Sequence, residues 1–210
     1  MHLLLVDQMT CPRCGPEFGL ILFSEKIQDR RVLEGFLGCS NCRDKFPVAD
    51  GCGDLRPPPR SGSRREPQRV VSKLPGALEM AALLGLAEGY GNVGLIGDMS
   101  SRIRDLTQIT TNFEFVGIRH EMFLSHGFSG LDRGSRLVVG EKMPFRDGCF
   151  RGLVVSGKED GDWMLEIARI VSTTGRVVVW ESTEKLIGIL ENKGLNILMK
   201  QEDVVVLSPS

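Results

Sequence analysis

The sequence predicts an α/β fold built on a mostly parallel sheet, and three observations support this prediction. Five short apolar runs alternate with helical or loop segments between residues 93 and 180, and runs so uniformly apolar suit strands covered on both faces. Two further runs, 195–199 and 204–207, have only a short polar connection, which permits an antiparallel hairpin and no other pairing. The first 55 residues lack this alternation and carry paired cysteines, so we expect them to form a separate small domain.

Four cysteines near the start of the chain form two Cys-x-x-Cys knuckles, Cys11 with Cys14 and Cys39 with Cys42, and 24 residues lie between the knuckles. Four thiolates spaced in this way can close a tetrahedral shell around one zinc ion. A closed shell leaves no position for water or substrate, so we expect the zinc to be structural.

The alternatives for these cysteines are two disulfides or four unconnected buried thiols. The first ten residues lack the basic start, apolar run and cleavage site of a signal peptide, so we expect a cytoplasmic protein with reduced thiols. Cys52 and Cys149 have no knuckle partner, and we expect each to be a buried or incidental thiol.

Short strands are predicted at 20–23, 32–37 and 46–48, around and after the knuckles, as in a zinc ribbon. The stretch 37–51, which contains the second knuckle and ends in Phe-Pro-Val-Ala-Asp-Gly, resembles the zinc-ribbon family typified by the small activator subunit of tRNA and protein methyltransferases. A domain of this size is near the limit at which a metal must replace missing core, so its folding should require zinc. We assign residues 1–55 to this ribbon.

A basic, proline-rich segment at 56–73 follows the ribbon and reads as an interdomain linker. Its cations, opposed only by Glu66, are Arg56, Arg60, Arg64, Arg65, Arg69 and Lys73. The cluster could bind RNA phosphates or could be solvated linker charge, and the second alternative is the commoner. The net charge of the whole chain is −1, which gives no general attraction to nucleic acid, and no apolar stretch is long enough to span a membrane.

Residues 74–210 carry the α/β pattern. A helix is predicted at 74–86, ending by Gly89, with Leu78 and Met80 among its buried residues. The predicted parallel strands that follow are 93–97, 113–118, 136–140, 152–156 and 176–180. Five parallel strands and a final antiparallel hairpin resemble the Rossmann-like sheet of class I S-adenosylmethionine methyltransferases. The stretch 141–150 is similar to the Ala-Glu-x-Leu-Pro-Phe-x-Asp-x-Ser-Phe-Asp segment of their small-molecule group, which includes quinone-biosynthesis enzymes.

The resemblance implies a cofactor site at the carboxyl ends of these strands, and the candidate residues are Gly97, Asp98 and Glu141. The family has a Gly-x-Gly-x-Gly turn after the first strand, where backbone N–H groups approach the methionine part of the cofactor. Only Gly97 keeps this pattern. We expect Met99 and Ser101 to place side chains where the family leaves space. Asp98 is expected to cap a helix that begins near Ser100, or else to face the ligand.

Three further departures concern the rest of the same ligand. Arg119, which can only donate hydrogen bonds, stands where the family has an acidic acceptor for the ribose hydroxyls. Val139 stands where the family has an aspartate near the adenine, and Arg151 replaces the aspartate that opens the fourth strand. Together these changes argue against ordinary S-adenosylmethionine binding.

No catalytic residue is assigned from the sequence. Lys158 and Glu159 follow the fourth strand and could face the pocket, but a charged loop is usually only solvated. His120 and His126 are expected to be surface histidines because their spacing is not that of zinc ligands.

Two function classes remain, together with a weaker third. The favoured one is a non-catalytic binding or scaffold protein with a degraded cofactor site and a protein partner. The alternative is a divergent S-adenosylmethionine-dependent methyltransferase that acts on a small molecule, RNA or protein. The zinc ribbon and the basic linker also permit an RNA or ribosome accessory protein.

Overall fold

The computed structural model of the chain describes residues 1–60, 74–120, 134–159 and 161–210. Within these ranges twelve strands form one sheet, in the order β1-β2-β3-β4-β5-β8-β7-β6-β9-β10-β12-β11. The ribbon contributes the first five strands, which are β1 Thr10–Cys11, β2 Gly15–Gln28, β3 Arg31–Cys39, β4 Lys45–Ala49 and β5 Cys52–Asp54. The α/β part contributes the rest, which are β6 Gly91–Ile96, β7 Phe113–Arg119, β8 Gly134–Val138, β9 Phe150–Ser156, β10 Val171–Trp180, β11 Leu195–Gln201 and β12 Val204–Pro209.

The ribbon strands pair antiparallel, each with its neighbour in the chain. β2 and β3 form a long hairpin closed by Asp29 and Arg30, whose φ angles are 49° and 62°. Two successive residues with positive φ match the right-handed twist of the flanking strands, which is what a two-residue hairpin requires. The three strands predicted for the ribbon are therefore present, and β2 and β3 are longer than the sequence pattern indicates.

The prediction of five parallel strands followed by an antiparallel hairpin is confirmed. β8, β7, β6, β9 and β10 run parallel, whereas β12 pairs antiparallel with both β10 and β11. From β6 the chain adds β7 and β8 toward one edge of the sheet, and it then adds β9 and β10 toward the other edge. The strand order therefore reverses between β6 and β9, and ligands in open α/β sheets bind at such a switch point, beyond the carboxyl ends of the strands.

Helices cover both faces of the parallel strands. They are α1 Ala77–Leu84, α2 Ile103–Ile109, α3 Gly161–Ile170 and α4 Glu184–Glu191. Successive strand residues alternate between two cores: Val154 and Val178 pack with α1 and α2, whereas Val155 and Val177 pack with α3, α4 and the ribbon. None of the helices in the described ranges is long and apolar enough to cross a membrane.

The first helix differs from its predicted extent. α1 ends at Leu84 because Gly85 adopts the left-handed conformation, with φ 67°, and its N–H bonds the carbonyls of Ala81 and Ala82. The expectation that Leu78 is buried was wrong, since its side chain is 71% exposed, whereas Met80 is fully buried as expected.

Several contacts between described residues join the ribbon to the α/β part, and three of them define how the two parts meet. β5 pairs parallel with β8, from Cys52 opposite Arg136 to Asp54 opposite Val138. The Thr10 N–H donates to the Pro144 carbonyl at 2.9 Å, beyond the carboxyl end of β8. Near the amino end of β8, Arg31 of β3 makes a two-point ion pair with Glu114 of β7. The two sequence units therefore share one sheet and one of the two cores.

Candidate cofactor and metal sites

The four knuckle cysteines converge on one point. Their sulfur atoms all lie within 4.8 Å of one another, and the distances from Cys11 to Cys42 and from Cys39 to Cys14 are 3.6 and 3.8 Å. A tetrahedral ion with metal–sulfur bonds of about 2.3 Å holds its sulfurs about 3.8 Å apart. None of the four is in a disulfide. The cluster thus has the donor set and the spacing of a closed four-thiolate metal site.

Neighbouring groups hold the sulfurs in place. The Cys14 N–H donates to Cys11 Sγ at 3.4 Å, and Asn41 Nδ2 donates to Cys14 Sγ at 3.3 Å. The first knuckle is tied to the segment after the second by the ion pair of Arg13 with Asp44, at 2.9 Å. Backbone and amide donors of this kind stabilise thiolates and fix their direction, as a structural metal site needs.

The turn after β6 is the central element of the second candidate site. It is a short 3-10 helix, Gly97–Arg102, which continues directly into α2. Gly97 has φ 62°, in the left-handed region that favours glycine. This turn lies at the carboxyl end of the sheet beside the switch point, where the resemblance places the methionine part of the cofactor.

Glu159 occupies the space over Gly97. After β9 the chain folds back, with the Glu159 N–H donating to the Ser156 carbonyl at 3.1 Å, and the Glu159 carboxylate then lies against the turn. A β-carbon placed on residue 97 would collide with Oε1 of Glu159. The open face that a missing side chain provides at Gly97 is therefore filled by another side chain of the same protein.

Arg119 fills the neighbouring position at the end of β7. Its Nε donates to the Gly97 carbonyl at 3.2 Å and to Ser100 Oγ at 2.7 Å, and a terminal nitrogen lies 3.7 Å from an Asp98 carboxylate oxygen. The guanidinium thus cross-links the turn at the position where the family has a ribose acceptor. As expected from the sequence, it acts as a donor, and its acceptors belong to the protein.

The residues expected to obstruct the turn do not do so in the predicted way. Met99 is fully buried and packs in the core formed with α1 and α2. Ser101 is exposed, and its hydroxyl donates to the Asp98 carbonyl at 2.8 Å within the same turn. The 3-10 geometry explains the difference, because it turns position 99 toward the helices. The prediction for Met99 was therefore wrong.

Asp98 does not cap the helix. The helix begins at Gly97, its N-cap residue is Ile96, and no side chain caps it. The Asp98 carboxylate faces Arg119 instead.

Glu141 is exposed in the loop after β8 and lines a cavity of about 360 Å³ with Pro12 and Arg56. Gly97 and Asp98 thus belong to one turn, and Glu141 lines a separate cavity against the ribbon.

An aromatic pair lies beyond β7 and β8. The His120 ring stacks on Trp163 of α3, with ring centroids 3.6 Å apart and planes inclined by 24°. Trp163 is fully buried, and its Nε1 donates to the Gly140 carbonyl at 3.0 Å. Val139, at the position the resemblance places near the adenine, is fully buried. His120 is exposed as expected, and its stacking was not predicted; His126 lies outside the described residues.

Two of the linker arginines are engaged with the ribbon. Arg56 donates to both carboxylate oxygens of Asp54, at 2.9 and 2.8 Å, and these contacts hold the Asp54 carboxyl pKa below its usual value against the opposing effect of burial. Arg60 Nε lies 3.6 Å from the same carboxylate. The other linker cations, Arg64, Arg65, Arg69 and Lys73, lie outside the described residues.

Sequence reasoning singled out Gly97 and missed the role of Glu159. The sequence contained only a weak signal for this role. Glu159 lies three positions after the end of β9, and Arg119 lies at the end of β7. Opposite charges at the ends of β9 and β7 can meet over the end of β6 because β6 lies between these two strands.

Comparison with known proteins shows the fold. No protein-family model matches the sequence, and neither does any curated protein. Among solved structures, the [4+2]-cyclase SpnF aligns with this chain at TM-score 0.51 and 14% identity. The alignment covers 60% of this chain and 58% of SpnF, so this chain spans less than two thirds of the length of SpnF. A complex of the Haloferax volcanii Trm112 methyltransferase activator with a proposed methyltransferase aligns at TM-score 0.51 and 14% identity, over 64% of this chain and 88% of that one.

A TehB-like S-adenosylmethionine-dependent methyltransferase from Corynebacterium glutamicum aligns at TM-score 0.47 and 18% identity, over 62% of this chain and 87% of that one. The two alignments at TM-score 0.51 show that the chain has a Rossmann-like methyltransferase fold, and a four-cysteine cluster lies in its small N-terminal unit.

Proposed function

We propose that this chain is a methyltransferase-fold protein that does not use S-adenosylmethionine and acts as a non-catalytic binding or scaffold protein. The observation that carries the proposal is the contact of the Glu159 carboxylate with Gly97, closed on its other side by Arg119. Gly97 is the one glycine that remains of the cofactor turn, and its open face is where the backbone would approach the ligand.

The residue at the end of β7 adds a missing partner to the steric obstacle. The ribose hydroxyls would meet the Arg119 guanidinium, which has no acceptor to offer them. The ligand would therefore lose the hydrogen-bond acceptor that the resemblance implies at this position.

The aromatic pair supports the same conclusion at the adenine side. Ring centroids 3.6 Å apart leave no room for a third ring between His120 and Trp163. A planar base could not be inserted between the two rings without separating them to about twice that distance. The pair therefore offers no space between its rings for a planar base.

A shared fold does not imply methyl transfer, since one fold hosts many functions. SpnF, which aligns with this chain, is described as a cyclase. The partner would be a protein, because β2 exposes three apolar side chains, Ile21, Phe23 and Ile27, each about half exposed. Exposed apolar side chains grouped on one element indicate an interaction surface.

The metal of the ribbon would be zinc, bound by Cys11, Cys14, Cys39 and Cys42. Zinc favours tetrahedral thiolate shells, and such a shell stabilises a small domain without taking part in a reaction. RNA contact through the linker has less support, because Arg56 and Arg60 are directed to Asp54. A cytoplasmic location stays a prediction.

Titration calorimetry with S-adenosylmethionine and S-adenosylhomocysteine tests the proposal. We expect the wild-type protein to bind both more weakly than about 1 mM, because losing a hydrogen bond to a buried partner typically costs about 1 to 3 kcal/mol and several are lost here. The variant Glu159→Ala, which opens the face of Gly97, should bind more tightly than the wild type.

Lys158→Ala is the matched control, because Lys158 lies in the same loop but pairs with Glu181, at 2.7 Å. It should bind no better than the wild type. A wild-type dissociation constant in the low micromolar range would reject the proposal and favour the divergent methyltransferase. Equal effects of the two alanine variants would show that Glu159 is not the obstacle.

A further inference from the structure

A cavity of about 410 Å³ opens at the carboxyl end of β10, and its lining does not include Gly97 or Asp98. One wall is formed by the start of α1 and the residues before it, and the other by the β11–β12 hairpin. Its volume lies within the range of about 300 to 1,000 Å³ that is usual for pockets binding small molecules. The lining residues are Leu74, Pro75, Gly76, Glu79, Leu83, Trp180, Glu181, Met199, Gln201, Glu202, Asp203 and Val204.

The lining combines apolar side chains with acidic ones. Leu74, Leu83, Trp180 and Met199 are half-buried, so they present apolar surface to the cavity without being sealed in the core. An indole and a thioether are also favourable neighbours of a cation or its apolar stem. A ligand for this cavity therefore needs an apolar portion long enough to cover these side chains.

Every ionisable side chain of the lining is acidic. The four are Glu79, Glu181, Glu202 and Asp203. Glu79 also accepts from the Gly76 N–H at 3.3 Å, so its carboxylate compensates the positive end of α1. Glu202 and Asp203 are exposed at the tip of the hairpin. An anionic ligand would be repelled from such a cavity, whereas a cation would be attracted.

Three of the described cations near the cavity have acidic partners of their own, and a fourth, Arg176, donates to the Leu83 carbonyl at 3.3 Å. Lys158 pairs with Glu181 at 2.7 Å, Lys200 with Glu184 at 2.5 Å, and Arg102 with Asp105 at 3.3 Å. Only the first of these pairs uses a lining carboxylate. Glu202 and Asp203 thus keep negative charge at the mouth of the cavity.

We propose that this cavity binds a small organic cation with an apolar stem, of the primary alkylammonium class. The stem would lie along Trp180, Met199 and Leu83, and the ammonium group would lie at the rim near Glu202 and Asp203. The inference goes beyond the proposed function, because it concerns a different cavity and holds whether or not S-adenosylmethionine binds.

Amide NMR titration of the full chain with hexylammonium tests the proposal, with hexan-1-ol as the uncharged molecule of equal stem length. We expect hexylammonium to shift the amides of Gly76, Gln201 and Asp203 and to bind at least about fivefold more tightly than hexan-1-ol. Its affinity should fall when salt is raised, since ions screen exposed charges, and that of hexan-1-ol should not.

The double variant Glu202→Gln with Asp203→Asn should bind hexylammonium about fivefold more weakly, as expected for the loss of two exposed charges. Glu191→Gln removes an exposed charge from the end of α4 and should leave the affinity unchanged. Equal binding of hexylammonium and hexan-1-ol, shifts confined to other regions, or an unaffected double variant would each overturn the proposal. The salt series uses the unmodified protein, so it decides the question even if the double variant is unstable.

Discussion

Replacing Arg31 by methionine removes one half of the ion pair that joins the ribbon to β7. The side chains of Arg31 and Glu114 are only 10% and 15% exposed, and Arg31 Nη2 donates to Glu114 Oε2 at 2.8 Å. Arg31 also donates to the Gly134 carbonyl at 3.2 Å, and Ser135 Oγ donates to Glu114 at 2.7 Å. In the Arg31→Met variant, Glu114 keeps the Ser135 hydroxyl but loses its counter-charge.

Removing one partner of a buried pair costs about 3 to 5 kcal/mol, because the other charge stays buried. We expect the lower end, about 3 kcal/mol, since Ser135 still donates to Glu114. For a chain of this size, 1 kcal/mol corresponds to about 2 to 4 °C, so the midpoint of thermal unfolding should fall by about 6 to 12 °C. Urea unfolding gives the free energy directly.

Two further variants complete the test. Lys26→Met removes an exposed cation from the same hairpin and should change the free energy of unfolding by less than about 0.5 kcal/mol. Arg31→Met combined with Glu114→Met removes both charges and should recover most of the lost stability. A loss below about 1 kcal/mol for Arg31→Met, or a double variant as unstable as the sum of the single ones, would refute the reasoning.

Three other results are expected. The purified protein should contain one zinc per chain, and Cys39→Ser should lose the metal and unfold at lower temperature; a variant that keeps its zinc and its stability, measured with a chromogenic chelator and a melting curve, would contradict the assignment. Burial raises the pKa of the Cys149 thiol to about 12, so the folded state disfavours the thiolate. The stability that this neutral thiol contributes should be fully present below about pH 8, and about 1 kcal/mol of it should be lost between pH 8 and pH 10, with a smaller fall in Cys149→Ala. Cleavage at a protease site inserted within 61–73 should leave two fragments that co-elute, because β5 and β8 share a sheet; separation on a sizing column would show that this pairing is weak.

Much of the fold could be predicted from the sequence because the relevant signals are local. An apolar run such as Val177–Val179 has β-branched side chains that both faces of a sheet can bury, and the structure buries Val178 in one core and Val177 and Val179 in the other. The short connection between β11 and β12 allowed only a hairpin. Only two residues separate Cys11 from Cys14, and this short spacer likewise limits how far apart their sulfur atoms can lie.

The filling of the Gly97 turn could not be read from any one segment. Arg119 and Glu159 lie 22 and 62 positions after Gly97, and only the strand order brings the ends of β7 and β9 to either side of β6. The side-chain direction of Met99 was also undecided, because it depends on whether the turn is an open loop or a 3-10 helix.

The sequence by itself determined which four cysteines cluster, where the parallel strands lie and that the chain ends in a hairpin, since these depend on spacing and periodicity within short segments. Only the tertiary structure decided that β5 pairs with β8, that Arg31 meets Glu114, and that Glu159 covers Gly97. Three-residue strands and single charges carry little local signal, and their partners are fixed by the order of strands in the sheet, which is a property of the whole chain.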